Sequence, residues 1–188
     1  MFTIKNTQVS GVIDSIRYLG LPKRLDLNNW ADTKGYKRAK KLADVPSGSG
    51  HDCFLKGITI TSYIIAPQYF WMQWMRYHFQ DIISSQSKMH MITKMDLHEQ
   101  MNGLVDQRII KVAKEYVTSY EYGDISMSKL VSNIPMGLEL GAGIVTNYLQ
   151  LKTIYKQRKN HKLEEWHMFC DWIEEELPHP YLITGSDE

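Results

Sequence analysis

Cysteine is scarce in this sequence, with only Cys53 and Cys170 among 188 residues. The two residues match no Cys-x-x-Cys or Cys/His spacing typical of metal sites, and the seven histidines show no His-x-x-x-His pattern. We therefore expect neither a disulfide framework nor a bound metal. A reducing, cytoplasmic setting fits this cysteine usage best.

An excess of charge of one sign is also missing. The 22 Lys and Arg residues nearly balance the 21 Asp and Glu residues, which leaves a formal net charge of +1. A nucleic-acid partner is therefore not expected. No stretch approaches the roughly 18 uninterrupted apolar residues of a membrane helix, and the first residues lack the pattern of a signal peptide, so no membrane partner is expected either.

Apolar material for a core is plentiful. Hydrophobic residues make up 43% of the sequence, including 5 Trp, 11 Tyr, 5 Phe and 10 Met. A chain of this length buries about 70% of its unfolded surface on folding, and no internal repeat divides it. The sequence predicts one domain over residues 1–188.

Apolar spacing predicts both strands and helices. Ile58, Ile60 and Ile64 alternate as in a strand that ends at Ala66-Pro67, and Pro67 then opens a helix. A second helix ends near Gly123, and its apolar stripe is Val105, Ile109, Val112, Ala113, Tyr116 and Val117.

The second half of the chain is predicted to be mainly helical. One long helix is expected from Pro135 to about Arg158, interrupted only by Gly141-Ala142-Gly143, and an amphipathic helix ends before Pro178. Residues 81–103 are expected to be irregular. The predicted fold class is α/β (α+β), with helices flanking a sheet and a long central helix.

Polar residues on the predicted helices are candidate ligand contacts. Gln73 and Arg76 lie three residues apart, so they share a face of the helix after Pro67 and offer donors to a carbonyl-rich or anionic ligand. The alternative is that they are simply exposed. Asn147 and Arg158 lie about 16 Å apart on nearly one face of the long helix predicted from Pro135, with Leu151 between them. That face is typical either of a cleft for a flat molecule or of a core stripe with polar ends.

Loop residues give weaker signals. His51 follows the flexible Ser47-Gly48-Ser49-Gly50, where glycine lets a ligand approach the main chain, although a lone loop histidine is usually a surface residue. The serines near Ser87 have no evident activating base. The phosphate-binding loop and the dinucleotide-binding glycine pattern are both absent from the sequence.

Two blocks of this sequence carry a series of motifs. The first block is Gly50-His51, Ala66-Pro67, Gln73-Trp74-Met75-Arg76 and Ser87-Lys88-Met89-His90. The second block is Ile134-Pro135, Asn147 and Arg158, with His161 close behind. These blocks resemble the flavin-dependent thymidylate synthases, which methylate deoxyuridylate with reduced FAD and methylene-tetrahydrofolate. The first block is similar to that family's Gly-His, Ala-Pro, Gln-Trp-x-Arg-His-Arg and Ser-x-Arg-Tyr motifs.

The resemblance implies an α/β subunit, a homotetramer with active sites between subunits, and FAD and methylene-tetrahydrofolate as cofactors. It implies that Gln73 and Arg76 hold a pyrimidine nucleotide, that Ser87 contacts its phosphate, and that Arg158 lies against the pyrimidine and flavin. Arg158 and Arg76 are thereby the candidate catalytic residues. The residues implied to lie along the FAD are His51, Cys53, Tyr77, His78, Asn147 and His161. No protein nucleophile is implied.

Several family arginines are replaced. The family's Arg-His-Arg is Arg76-Tyr77-His78 here, and three further arginines fall on Met89, Val131 and Leu149. The family's Ala-Gln-x-Glu-Ile ending is not preserved, and Leu163-Glu164-Glu165-Trp166 stands in its place. The nearby cations that could compensate are Lys88, His90, Lys129 and Lys152, and we count Lys88 with Ser87 among the candidate nucleotide-binding residues.

Three functions remain open from the sequence. The first is a divergent flavin-dependent enzyme that adds a one-carbon group at C5 of a pyrimidine deoxynucleotide. The second, motivated by the lost arginines, is a nucleotide-binding or regulatory protein of the same fold without flavin. The third is a structural oligomer whose Trp- and Tyr-rich segments form subunit contacts.

Overall fold

A computed structural model describes residues 2–25 and 34–185 of the chain. Its strands are β1 (Thr3–Ser10), β2 (Thr59–Pro67), β3 (Asp81–Ser85) and β4 (Glu139–Asn147). Its helices are α1 (Val12–Tyr18), α2 (Gly35–Ala43), α3 (Gln68–Trp74), α4 (Lys88–Met91), α5 (Leu97–Gln100), α6 (Gln107–Glu121), α7 (Met127–Ser132), α8 (Tyr148–Arg158), α9 (Glu164–Glu176) and α10 (Tyr181–Thr184). Short 3-10 turns occupy Leu21–Lys23 and Cys53–Gly57. The predicted mixture of helix and sheet is confirmed.

The four strands form one sheet in the order β1-β2-β4-β3. Side-chain hydrogen bonds fix the register of β1 against β2, where Ser10 pairs with Thr59 at 2.7 Å and Ser62 donates to Thr7 at 3.1 Å. The start of one strand faces the end of the other, so this pair is antiparallel.

The predicted junction between β2 and α3 is confirmed. Alternate residues of β2 from Ile60 to Ala66 are buried, as a strand with one face in a core requires. Pro67 then takes φ −66° and ψ 154° at the N-cap position, directly before the first turn of α3. The indole nitrogen of Trp71 donates to the carbonyls of Ala66 (3.1 Å) and Leu140 (2.9 Å), which ties α3 to two strands.

The prediction of one helix from Pro135 to Arg158 is wrong in its first half. Residues Glu139–Asn147 form β4, and the helix begins only at Tyr148. Glycine at position 141 fits the strand because a Cβ there would overlap the Tyr63 hydroxyl of the neighbouring strand. The Gly-Ala-Gly sequence therefore marks a close approach between strands rather than an interruption in a helix.

Residues 81–103 are also more regular than predicted. They contain β3, which is exposed along its whole length, and the short helices α4 and α5. An exposed edge strand needs no alternation of apolar and polar residues, so its sequence gave no strand signal. Ser87 and Asp96 cap the two helices by accepting from backbone amides.

The chain divides into two compact units. The first unit comprises the described residues of 1–5, 63–77 and 82–143, and contains α3 to α7. One cluster of its core consists of Ile92, Leu97, Met101, Ile110, Ala113, Leu130, Ile134 and Leu138. A second is aromatic: the Phe70 and Trp74 rings stack at 5.8 Å, and Phe2 meets Phe70 edge-on at 5.1 Å.

The second unit comprises the described residues of 6–62, 78–81 and 144–188, and contains α1, α2 and α8 to α10. Leu151 and Ile154 of α8 are fully buried, as are Trp166 and Phe169 of α9. The predicted helix before Pro178 is confirmed as α9. Within the described part of the chain, no helix is both long enough and apolar enough to cross a membrane.

Candidate functional site

The predicted site residues fall in both units. Gln73, Arg76, Tyr77, Ser87 and Lys88 belong to the first unit. The second unit holds the remaining predicted residues: His51, Cys53, His78, Asn147, Arg158 and His161.

Gln73 and Arg76 do not share a helical face, because α3 ends at Trp74. The Arg76 amide donates to the Gln73 carbonyl at 3.3 Å and the Tyr77 amide donates to Trp74 at 3.1 Å, which is a tight turn after the helix. The Arg76 side chain is exposed and the Gln73 side chain is half-buried. An exposed guanidinium directly after α3 can bind an anionic ligand.

Ser87 and Lys88 begin α4. The Ser87 hydroxyl accepts from the His90 amide at 3.4 Å and pairs with His90 Nδ1 at 2.8 Å. Lys88 Nζ donates to the Val131 carbonyl at 3.3 Å, and partial burial lowers the pKa of this lysine. Its ammonium therefore lies beside a position where the resembling family carries an arginine.

The helix α8 carries Asn147 at one end and Arg158 at the other. Asn147 is the N-cap, since its Oδ1 accepts from the Gln150 amide at 3.0 Å. Leu151 and Ile154 are fully buried between them, so the apolar face of α8 is a core stripe rather than the wall of a cleft.

An aromatic and basic cluster surrounds the end of α8. The Arg158 guanidinium lies over the Trp166 ring, 4.5 Å from its centroid. His161 Nδ1 accepts from the Leu163 amide at 3.1 Å, and the ring of His167 is hydrogen bonded to the His161 carbonyl. Burial, followed by the positive charge of Arg158, lowers the pKa of His161, so this imidazole is neutral at pH 7 and carries its proton on Nε2.

A cavity of about 440 Å³ lies in the second unit, and we call it the α8 cavity. Asn147, the N-cap of α8, forms one wall with Gln150 and Thr153 of that helix, and Ser47 and Gly48 form another. Lys56, Phe79 and Leu149 complete the lining. Of the predicted site residues, only Asn147 lines it; His51, Cys53 and His78 are exposed residues outside the lining.

Phe79 lines the α8 cavity, although the sequence did not identify it as a site residue. Its side chain is 80% exposed, and its backbone has the positive φ of 59°, which costs energy for a residue with a bulky side chain. The Thr146 hydroxyl donates to its carbonyl at 3.4 Å. An exposed ring beside amides, hydroxyls and the Lys56 ammonium can bind an aromatic, anionic small molecule.

A second cavity, of about 300 Å³, lies in the first unit. Its walls include the side chains of Met72, Met75 and Met136, and we call it the methionine cavity. The Gln86 side chain there accepts from the Gly141 amide at 2.8 Å and the Gln68 side chain donates to Pro135 at 3.4 Å. The surface left for a ligand is therefore mainly apolar. Among the described residues, no cluster of His, Cys, Asp and Glu could hold a metal ion.

Sequence comparisons find no relative: no protein-family model matches the chain, and no curated protein matches it. Solved structures do match. Flavin-dependent thymidylate synthase ThyX from Helicobacter pylori, complexed with FAD and dUMP, matches with a TM-score of 0.77 at 10% identity, over 96% of this chain and 97% of that one. A second structure of the same enzyme with FAD and dUMP gives 0.75 at 12% identity, over 99% and 100%.

The UMP/dUMP methylase PolB from Streptomyces cacaoi, bound with 5-Br dUMP, also matches. Its TM-score is 0.70 at 14% identity, over 93% of this chain and 88% of that one. The chain has the flavin-dependent thymidylate synthase fold. The resemblance read from Gly50-His51 to Arg158 is thereby confirmed as a divergent form of this fold, and the predicted α/β fold class is confirmed with it.

Proposed function

We propose that this protein is a divergent flavin-dependent enzyme that transfers a one-carbon group to C5 of a pyrimidine deoxynucleotide such as dUMP. The observation that carries the proposal is the match, over 93–99% of the chain, to three structures that hold dUMP or 5-Br dUMP. We further propose methylene-tetrahydrofolate as the one-carbon donor, a cytoplasmic homotetramer as the assembled form, and active sites completed between subunits.

The nucleotide-binding role falls to groups of the first unit. The Arg76 side chain is exposed after α3, and the Lys88 ammonium donates to the Val131 carbonyl. Ser87 and His90 form a hydrogen-bonded pair next to it. We assign the phosphate to Lys88 and Ser87 and the pyrimidine to Gln73 and Arg76, because ammonium and guanidinium groups bind anionic and carbonyl oxygens strongly.

The α8 cavity is our proposed site for part of FAD. Its volume is in the range of small-molecule sites, and its lining combines a few polar groups with the apolar side chains of Phe79 and Leu149. We assign it to the cofactor, with Asn147 Nδ2 as a donor, Phe79 as a stacking surface and Lys56 as positive charge. When bound, FAD would supply the hydride for the transfer.

Further groups of the second unit are assigned to the flavin and the pyrimidine. Neutral His161 donates from Nε2, and Arg158, seated on Trp166, stabilises negative charge on the pyrimidine and flavin. We assign His51, Cys53 and His78 of this unit, and Tyr77 of the first unit, to the periphery of the cofactor.

A second candidate function is a nucleotide-binding or regulatory protein that uses no flavin. Leu149 replaces a family arginine and lines the α8 cavity, so this wall carries no charge. Lys152 does not compensate for it, because its ammonium is buried against Asp52 at 2.9 Å. Hydrogen bonds to charged groups contribute about 1.5–3 kcal/mol each, so the loss of such an arginine favours a ligand with less negative charge than FAD.

Visible absorbance and a turnover assay test the two functions. The purified protein is incubated with FAD, passed through gel filtration and scanned, and dUMP binding is measured by calorimetry. Flavin retained on the protein, together with dTMP formed from dUMP, methylene-tetrahydrofolate and dithionite-reduced enzyme, is expected. A colourless protein that still binds dUMP would establish the flavin-free function, and binding of neither would refute both.

A matched pair of variants locates the flavin. Asn147→Ser keeps a cap for α8 but removes the amide donor, and we expect FAD to bind about tenfold more weakly. Gln157→Ala, which removes an exposed amide from the same helix, is expected to leave FAD binding unchanged. Equal affinities for the two variants would contradict the assignment of the α8 cavity to the cofactor.

A further inference from the structure

A buried ion pair in the second unit closes a loop beside the α8 cavity. Lys152 of α8 and Asp52 both have side chains only 2% exposed, and Lys152 Nζ lies 2.9 Å from Asp52 Oδ2. The same ammonium donates to the Val45 carbonyl at 2.8 Å. Val45 and Asp52 begin and end the segment 45–52, which we call the cavity loop. One ammonium therefore holds both ends of this loop.

The middle of the cavity loop is open. Gly48 and Gly50 have φ of 92° and 81°, and a Cβ built on either glycine would meet no atom within 4 Å. The Ser49 amide donates to the Pro46 carbonyl at 3.2 Å, which makes a local turn. Because the glycines leave the backbone permissive and the surroundings are open, the position of the loop depends on how its ends are held.

The cavity loop and α8 both line the α8 cavity. Ser47 and Gly48 line it from the loop, while Gln150 and Thr153 line it from α8 on either side of Lys152 along the helix. A contact that ties the loop ends to α8 therefore sets the separation of the two walls.

We propose that Asp52 and Lys152 are positioning residues that fix the cavity loop against α8 and thereby determine the affinity of the α8 cavity for its ligand. The identity of that ligand as FAD rests on the proposed function; the holding of the loop does not. The pair acts through Ser47 and Gly48, since its own charged atoms are buried away from the solvent.

The design of the test follows from the cost of buried charge. Removing one partner would leave an uncompensated ion, whereas replacing both by apolar side chains of similar volume is often neutral for stability. The variant Asp52→Leu/Lys152→Met therefore removes the tether without leaving a buried charge. Lys156→Met, which removes an exposed lysine from the same helix, is the matched control.

Hydrogen exchange by mass spectrometry, FAD affinity and melting temperature are measured for all three proteins. In the double variant we expect backbone amides of residues 45–52 to exchange at least about tenfold faster, with amides of α6 unchanged. We expect FAD to bind about tenfold more weakly, because a displaced wall misplaces the ligand's contacts. The control is expected to match the wild type in every measurement.

Two results would overturn the proposal: wild-type exchange of the cavity loop in the double variant, or fast exchange of the loop with unchanged FAD affinity. Should the wild type take up no FAD, the proposed function fails, and the exchange of residues 45–52 alone then decides whether the pair holds the loop. Should the double variant fail to fold, Asp52→Asn/Lys152→Met replaces it. This pair of neutral side chains is close in size to the original pair and removes the tether without leaving a buried charge. Exchange of the loop at the wild-type rate in that variant would equally refute the proposal.

Discussion

The guanidinium carbon of Arg158 lies 4.5 Å from the centroid of the Trp166 ring. Trp166 is fully buried and meets the Phe169 ring edge-on at 5.7 Å, so the surface beneath the guanidinium is rigid. A cation over an indole face is stabilised by about 0.5–2 kcal/mol. Trp166 thus holds the candidate catalytic arginine in one orientation, at a position where the sequence departs from the resembling family.

Removing the aromatic face of Trp166 is expected to weaken nucleotide binding. We expect Trp166→Leu to raise the Kd for dUMP about three- to tenfold, while Trp166→Phe retains most of the affinity. Calorimetric titration measures both. Trp172→Leu removes a buried indole from the same helix and is the control for general loss of packing. If Trp166→Leu and Trp172→Leu weaken dUMP binding equally, the cation–π contact has no special role.

Lys88 is expected to recognise the phosphate of the nucleotide. Lys88→Met should weaken dUMP binding by about 1.5–3 kcal/mol and leave the affinity for deoxyuridine, which lacks the phosphate, nearly unchanged. Both affinities are measured by titration. Lys94→Met, at an exposed position in the same unit, should affect neither ligand. An equal loss of affinity for dUMP and deoxyuridine would assign Lys88 to some part of the ligand other than its phosphate.

The two cysteines are expected to react very differently. Cys53 is exposed, whereas burial raises the pKa of Cys170 to about 12. Because the thiolate is the reactive form, iodoacetamide at pH 8 should modify Cys53 alone, as read by peptide mass spectrometry. If Cys53 lies along FAD, saturating FAD should slow this modification. Modification of both cysteines at similar rates would show that Cys170 is accessible in the folded protein.

The stability of the protein is expected to fall as the pH drops below about 6.5. Burial and the charge of Arg158 lower the pKa of His161 beneath the ordinary value of 6.5. Between the lowered pKa and 6.5, the imidazole is therefore protonated in the unfolded chain but neutral in the folded chain. The contribution of neutral His161 is complete above pH 6.5 and is lost as the pH falls through the lowered pKa. Melting temperatures between pH 8 and pH 5 measure this dependence, which should be weaker in His161→Gln. His51→Gln, at an exposed position, should show the same dependence of melting temperature on pH as the wild type.

Glycine at position 141 is expected to be required for stability, unlike its neighbour at 143. A Cβ at 141 overlaps the Tyr63 hydroxyl, while a Cβ at 143 meets its nearest neighbour, Ile83, at 3.9 Å. Gly141→Ala should therefore cost about 1–3 kcal/mol, and Gly143→Ala much less. Urea denaturation gives both values. A similar cost for the two substitutions would show that the strands adjust to the added methyl group.

The sequence identified several candidate site residues but not their arrangement in space. The resemblance identified Asn147 and Arg158, and the structure places the first at the α8 cavity and the second on Trp166. Phe79 gave no signal, because its exposure and positive φ are properties of the folded backbone. Lys152 was a candidate to replace a lost arginine, and its burial against Asp52 removes it from that role.

The resemblance to a known family implied the fold. Local patterns in the sequence determined the junction of β2 with α3 at Pro67 and the existence of α6 and α9. These features depend on residues close together in the chain, so periodicity and proline reveal them. Tertiary structure decided the rest. Residues 139–147 pair with β2 instead of forming a helix, and α6 buries Ile110 while Ile109 stays half-exposed. Both outcomes, like the pairing of Lys152 with Asp52, depend on contacts between segments far apart in sequence, which no local pattern encodes.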